Sequence, residues 1–432
     1  MLSALRHVRS TLPNGLTTLV LPLPHVHRTV LTLYLRTGSR FEKAEESGIS
    51  HFLEHMLFRG TPRFPSAHEL ATAFEDLGGT LVASTAADSG NLAIALPPEN
   101  LTSVLQQFAE VVKTPLLTGI EIERGIIREE ILEDLGEHGQ LVDGQSLVRR
   151  LAFPDHGLGR LITGELANIE AFTEKEVRRH FERTHVASGM VLAVAGPVDP
   201  QSVSLQLEHA FADVPRGLRL ETKPAPAQTR QRFQMVRSSG SNQTSLHVAF
   251  RCPGDTDPLE PAVEMLLRII DDGMATRLYH RLCDSRGLCY DAGASYEAYE
   301  ETGLVEFGTE TAHERAAEVL TEILRLTREL SDSGPSLSEV DRAQRRARWQ
   351  HEAMLDDPVD MADFLALGEL SDTAKTPAER LEQLLSVTRD DIHRAATLVF
   401  QPLGQSVVAV GSAKPAQVQR LERIALGEER FA

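Results

Sequence analysis

Three landmarks in this chain occur twice, in the same order and at nearly one offset. Thr118–Glu121 and Ser336–Glu339 both read as capping boxes, 218 residues apart. In such a box a hydroxyl and a carboxylate satisfy the orphan N–H groups of a helix start. Thr173–Glu176 and Thr388–Asp391 form a second pair, 215 residues apart. A buried-strand run ending in glycine, Val191–Gly196, returns as Val407–Gly411, with the two glycines again 215 apart. Single boxes are common by chance; an ordered set at one offset is the signature of an internal repeat. The 432 residues therefore read as two copies of one unit.

Within the first copy, strand-like runs occupy Leu16–Leu23, after the Asn14-Gly15 turn signal, and Val30–Leu35, after Pro24. Helical patterns follow over Glu46–Arg59, stopped by Gly60 and Pro62, and over Ala67–Leu77, stopped by Gly78-Gly79. Thr80–Thr85 and Asn91–Leu96 read as strands, and Leu101–Val112 and Ile120–Leu135 as helices. Strands and helices are mixed rather than strictly alternating. That predicts an α+β chain of two tandem homologous domains, each a mostly antiparallel sheet with helices on one face. The expected division is residues 1–216, a linker at 217–232, and residues 233–432. The linker KPAPAQTRQ run is rich in Pro, Ala and Gln and has no apolar period.

Composition excludes several classes. Lys+Arg 44 against Asp+Glu 62 gives a net charge of −18. Such a body argues against binding nucleic acid or anionic lipid through charge. No run approaches the roughly 18 apolar residues of a membrane span. Arg6 and Arg9 precede no apolar core, so a secretory signal is not expected. Cys252, Cys283 and Cys289 are too few for a disulfide framework and predict a reducing, cytoplasmic setting. Cys283 and Cys289 read as small core residues.

The chemistry concentrates in Gly48–Phe58, GISHFLEHMLF. His51 and His55 are four apart, so on a helix they project from one face. Two imidazoles so placed can share a divalent ion, and a catalytic zinc site adds a third protein ligand. Glu54 falls between them, within reach of a water held there, which is the place of a general base. His-x-x-Glu-His is the inverted order of the common zinc-protease motif. The third ligand is sought in the helix Ile120–Leu135, which offers Glu121, Glu123, Glu129, Glu130 and Glu133. Glu123 and Glu130 lie two turns apart on one face, so one could bind the ion while the other supports a ligand. The equivalent stretch of the second copy, Leu266–Asp271, has no His.

With those residues in view, Gly38–Thr61 (GSRFEKAEESGISHFLEHMLFRGT) resembles the active-site region of the pitrilysin family. That family includes insulin-degrading enzyme and the mitochondrial processing peptidase. Gly119–Asp134 resembles its second zinc segment, and Asp271–Tyr296 a block of its second domain. The resemblance implies that Glu130 is the third Zn²⁺ ligand and that Glu123 supports the site from behind. It implies a zinc endopeptidase acting on unstructured peptide, built as a clam-like chamber from paired subunits. The partner would be an identical subunit or a related one, giving a homodimer or a heterodimer. Tyr290 is the candidate oxyanion donor. Val82, Ala83 and Ser84 are the candidate edge onto which substrate adds as a strand, and Phe58 a candidate pocket wall. Two positions depart from the family. Val82 replaces an Asn, and Cys283, seven before Tyr290, replaces an Arg. They leave open a second expectation, a noncatalytic or partner-dependent subunit.

Overall fold

The computed structural model describes residues 6–429. Six strands make the first sheet: β1 (Val8–Thr11), β2 (Thr17–Pro22), β3 (Thr29–Leu35), β4 (Val82–Thr85), β5 (Gly90–Leu96) and β6 (Met190–Gly196). Five make the second: β7 (Arg232–Arg237), β8 (Thr244–Cys252), β9 (Ala292–Ala298), β10 (Gly303–Thr311) and β11 (Gln405–Gly411). The spatial orders are β1-β2-β6-β3-β5-β4 and β7-β11-β8-β10-β9. Without β1 the two orders are the same permutation, and among the described residues the one parallel pair in each holds the last strand, β2/β6 and β7/β11. The duplication read from capping boxes is thus a duplication of topology, mostly antiparallel in both copies.

Local composition explains the strand types. β3 (TVLTLYL) and β6 (MVLAVAG) are buried at every residue, as central strands covered on both faces must be. β5 alternates buried and half-buried residues, and β4, at the sheet edge, alternates exposed and half-buried ones.

The compact units do not follow the contiguous division expected from the sequence. One comprises residues to Ile131, Arg160–Thr222 and Gln350–Arg380; the other Leu132–Gly159, Lys223–Trp349 and from Leu381 onward. Each half of the sequence gives one helical segment to the other unit. The helix Pro358–Leu370 lays Met361, Ala362, Leu365, Ala366 and Leu370 on Leu19, Leu21, Val30, Val191, Ala193 and Ala195 of the first sheet. The helix Gly144–Ala152 packs on β8 and β11 of the second sheet. This also corrects the expectation of helices on one face only. The central strands of the first sheet are buried on both sides and need cover on both, and in each sheet the second face takes one helix from the distant half.

On the opposite face of the first sheet, Pro200–Phe211 packs on β2, and Ile49–Leu57 packs on β4 and on Glu174–Thr184. The second unit centres on Leu246, Val248, Phe250, Phe307 and Val407 of the sheet, under the helices Ala316–Ser333 and Arg389–Val399.

Two helix starts differ from expectation. The first helix of the chain is Ile49–Leu57, preceded by short 3-10 turns, rather than one run from Glu46. Gly48 breaks it with φ 94°, a left-handed conformation, and a Cβ there would stand 2.6 Å from Gly164 Cα. The helix Ile120–Glu133 closes its first turn on the Gly119 carbonyl, which accepts from Ile122 and Glu123, rather than through a Thr118 box. The boxes at Thr173, Ser336 and Thr388 form as read.

Candidate metal centre

The motif helix Ile49–Leu57 buries Ile49, Phe52, Leu53, Met56 and Leu57, and these apolar anchors fix its rotation. Its start is held by a buried carboxylate: Glu42 accepts from Gly48 N–H and Ser50 N–H, both at 2.9 Å. That rotation turns His51 and His55 together, with ring centroids 4.7 Å apart at 66°. The helix Ile120–Glu133 is anchored by Ile120, Ile127 and Ile131 and brings Glu123 and Glu130 to the same place.

His51 Nε2 lies 3.5 Å from Glu130 Oε1, and His55 Nε2 lies 3.6 Å from Glu130 Oε2. Two ligands each about 2.1 Å from a tetrahedral zinc stand roughly 3.4 Å apart. The spacing of each imidazole from the carboxylate therefore suits a shared ion. One ligand atom from each of the three residues falls within 4.8 Å of the others, the one such group among the described residues. The donor chemistry also fits. Glu123 Oε2 is 3.2 Å from His55 Nδ1, and its other oxygen accepts from Arg59 Nη1 at 3.2 Å. A proton held at Nδ1 leaves Nε2 with a free lone pair toward Glu130. Of the other carboxylates on this helix, Glu121 pairs with Arg124 and Glu129 with Arg128.

Electrostatics separate the two rings. Burial, then the neighbouring His55, pulls His51 down to about 4. For His55 burial also works against the charged form, but the Glu123 hydrogen bond and carboxylate charges raise it above the ordinary value. Burial raises the Glu54 carboxyl, against the opposing pull of a Thr85 hydroxyl that donates to Oε2 at 2.5 Å. A carboxyl raised toward neutrality is better matched to proton transfer near neutral pH.

Thr85 belongs to β4, so the edge strand and Glu54 are tied directly. Ala83 and Ser84 line one hollow with Leu53, Glu54 and Leu57. Val82 is 54% exposed at the start of that edge. Phe58 lines a separate apolar hollow of ≈ 220 Å³ with Leu70, Phe74 and Leu81. Tyr290 stands in the second unit, 94% exposed, two residues before β9. It is not among the residues that the first unit gathers. Sequence reasoning missed Arg59, Thr85 and Glu42. Arg59 follows His55 by four and was within reach of the helical pattern expected over Glu46–Arg59, although the helix itself ends at Leu57. The other two carried no local signal.

Comparison with known proteins places the chain in a family. Residues 21–159 match the model of the insulinase family, peptidase family M16, and residues 171–347 match that of the M16 inactive domain. A zinc protease of Rickettsia felis is 25% identical over 406 residues, covering 92% of this chain and 96% of that one. The beta subunit of the mitochondrial-processing peptidase of Dictyostelium discoideum is 22% identical over 401 residues, covering 88% and 83%. A crystal structure of a protease from Helicobacter pylori superposes with a TM-score of 0.87 at 21% identity, covering 95% of this chain and all of that one. Fold and site together define a duplicated α+β protein with an inverted His-x-x-Glu-His helix in its first copy only. The chain belongs to the pitrilysin family, the M16 peptidases.

Proposed function

We propose that this protein is a zinc-dependent endopeptidase of unstructured peptides. The observation that carries the reading is the convergence of His51 Nε2 and His55 Nε2 on the Glu130 carboxylate, with Glu54 beside them. His51, His55 and Glu130 would hold the ion. When bound, zinc supplies Lewis acidity, polarising a carbonyl and acidifying water. Glu54 takes the proton from the attacking water and returns it to the leaving amine. Thr85 holds the Glu54 carboxylate in one orientation. Glu123 keeps His55 in the tautomer that ligates. An extended substrate adds to the free edge of β4, at Val82–Ser84, through main-chain hydrogen bonds that ask little of its side chains. Phe58 receives an apolar side chain, and Tyr290 donates to the developing oxyanion. The chain acts in the cytoplasm, paired with an identical or related subunit to enclose the substrate. The relative named as a subunit supports pairing.

A second reading, a subunit that needs a partner for turnover, is favoured by Val82 and Cys283 at positions where the family has Asn and Arg. One experiment separates the two. The purified chain is assayed on an unfolded peptide, and its zinc is measured. Glu54→Gln is expected to keep zinc and lose about 10²–10⁴-fold in kcat, while Glu130→Ala loses both. Wild-type chain that binds zinc but cleaves nothing alone would select the second reading.

A further inference from the structure

Two of the three thiols of this chain face one another within the second unit. Cys283 Sγ and Cys289 Sγ are 3.6 Å apart, and both side chains are half-buried. The arrangement is built by the backbone between them. The chain turns through Gly287, at φ +56°. Gly287 N–H donates to the Cys283 carbonyl at 3.0 Å, and Leu288 N–H to the Leu282 carbonyl at 2.8 Å. Leu282 and Leu288, each adjacent to one cysteine, are 0% and 6% exposed in the second unit's core. Both limbs are thus pinned, and the entropy of bringing the sulfurs together has been met by folding. A disulfide is about 2.05 Å long, so roughly 1.5 Å of approach separates the pair from a bond.

We propose that Cys283 and Cys289 form a reversible redox site, closing to an intrachain disulfide in exchange with a disulfide oxidant such as glutathione disulfide. One thiolate attacks the oxidant and releases one glutathione thiol. The second thiol gives up its proton and displaces the other glutathione. Two protein thiols and one glutathione disulfide yield one protein disulfide and two glutathione thiols. The electrostatics set the poise. Burial raises Cys283 to about 12, aided by Cys289 and by the charges of Asp291 and Asp271. A thiol held so far from ionisation is a poor attacking group, and its thiolate leaves poorly. The closed pair fastens the turn His280–Asp284 to the segment that carries Tyr290 into β9. This inference does not depend on the peptidase reading, because the bond is read without activity.

The test uses the full chain, reduced, freed of reductant and incubated with glutathione disulfide. Remaining thiols are alkylated under denaturing conditions and the protein is digested with trypsin. Cleavage after Arg286 parts the two cysteines into Leu282–Arg286 and Gly287–Arg315. The expected result is a chain lighter by two hydrogens, with those two peptides linked and Cys252 alkylated. Dithiothreitol should restore both thiols. Cys283→Ser and Cys289→Ser should each stop at one bound glutathione or none. Full alkylation of Cys283 and Cys289 in the treated wild type would overturn the proposal. So would a stable glutathione adduct on the wild type, or a link between chains.

Discussion

Glu42 is the residue whose role is least visible in its chemistry and clearest in its contacts. It is 4% exposed and satisfies two N–H groups at the start of the helix bearing His51, Glu54 and His55. A carboxylate at a helix N-terminus also meets the positive end of the helix dipole. Glu42→Ala strands two buried donors, and each orphaned group costs about 1–3 kcal/mol. Its denaturation midpoint should fall, and Glu42→Gln, which keeps one acceptor oxygen, should recover part of the loss. An unchanged midpoint in the alanine variant would show that water replaces the carboxylate. Val82 offers the opposite kind of test, a gain. Its exposed place on β4 is where the family has Asn. Val82→Asn should raise kcat/KM on an unfolded peptide about 2- to 10-fold, the worth of one hydrogen bond of roughly 0.5–1.5 kcal/mol. No gain would mean that this position does not touch substrate.

At the scale of elements, the helix Glu174–Thr184 supports the motif helix through a buried histidine. Arg183 Nη2 donates to His180 Nδ1 at 3.0 Å, so the ring's proton sits on Nε2, which faces Ser50 Oγ at 3.1 Å. Burial, then the charge of Arg183, holds His180 well below the ordinary value. His185, just past the end of the same helix, is pulled by burial down to about 3. In the unfolded chain an imidazole titrates near 6.5. Below that pH the unfolded state binds a proton that the folded ring refuses. Stability is therefore complete above about pH 6.5 and declines as pH falls toward 3, by at most about 1.4 kcal/mol per pH unit for one such ring. Melting temperatures measured across this range should fall, and His185→Gln should flatten the slope. A wild-type melting temperature that is level from pH 6.5 to 4 would exclude a buried neutral His185.

At the scale of the molecule, the units are not the halves of the sequence. Residues 1–216 made alone would lack the helix Pro358–Leu370 and leave Leu19, Leu21, Val30, Val191 and Ala195 facing solvent. A contiguous apolar patch of that kind drives association. The fragment should bind an apolar fluorescent dye and elute as aggregate, and adding a peptide of residues 350–380 should reduce both signals. A soluble, monomeric fragment without dye binding would show that the first sheet does not need the distant helix. No described helix is long and apolar enough to cross a membrane.

The sequence alone determined the repeat, through landmarks that recur in order at one offset, and the mixed α+β character and the imidazole pair, through local periodicities. Side chains four apart share a helix face wherever the helix is placed. The same logic narrowed the third donor to one face of the helix Ile120–Glu133 but left Glu123 and Glu130 equivalent, and the resemblance rather than the phase separated them. Only the tertiary structure decided which oxygen faces which nitrogen, putting Glu123 behind His55 and Glu130 before both rings. It alone joined Thr85 to Glu54, set the two thiols side by side, and assigned each second sheet face its cover from the other half. A residue's phase is fixed by its neighbours in the chain. Its partner is chosen by packing between segments that the chain separates by dozens to hundreds of residues, and no local pattern records that choice.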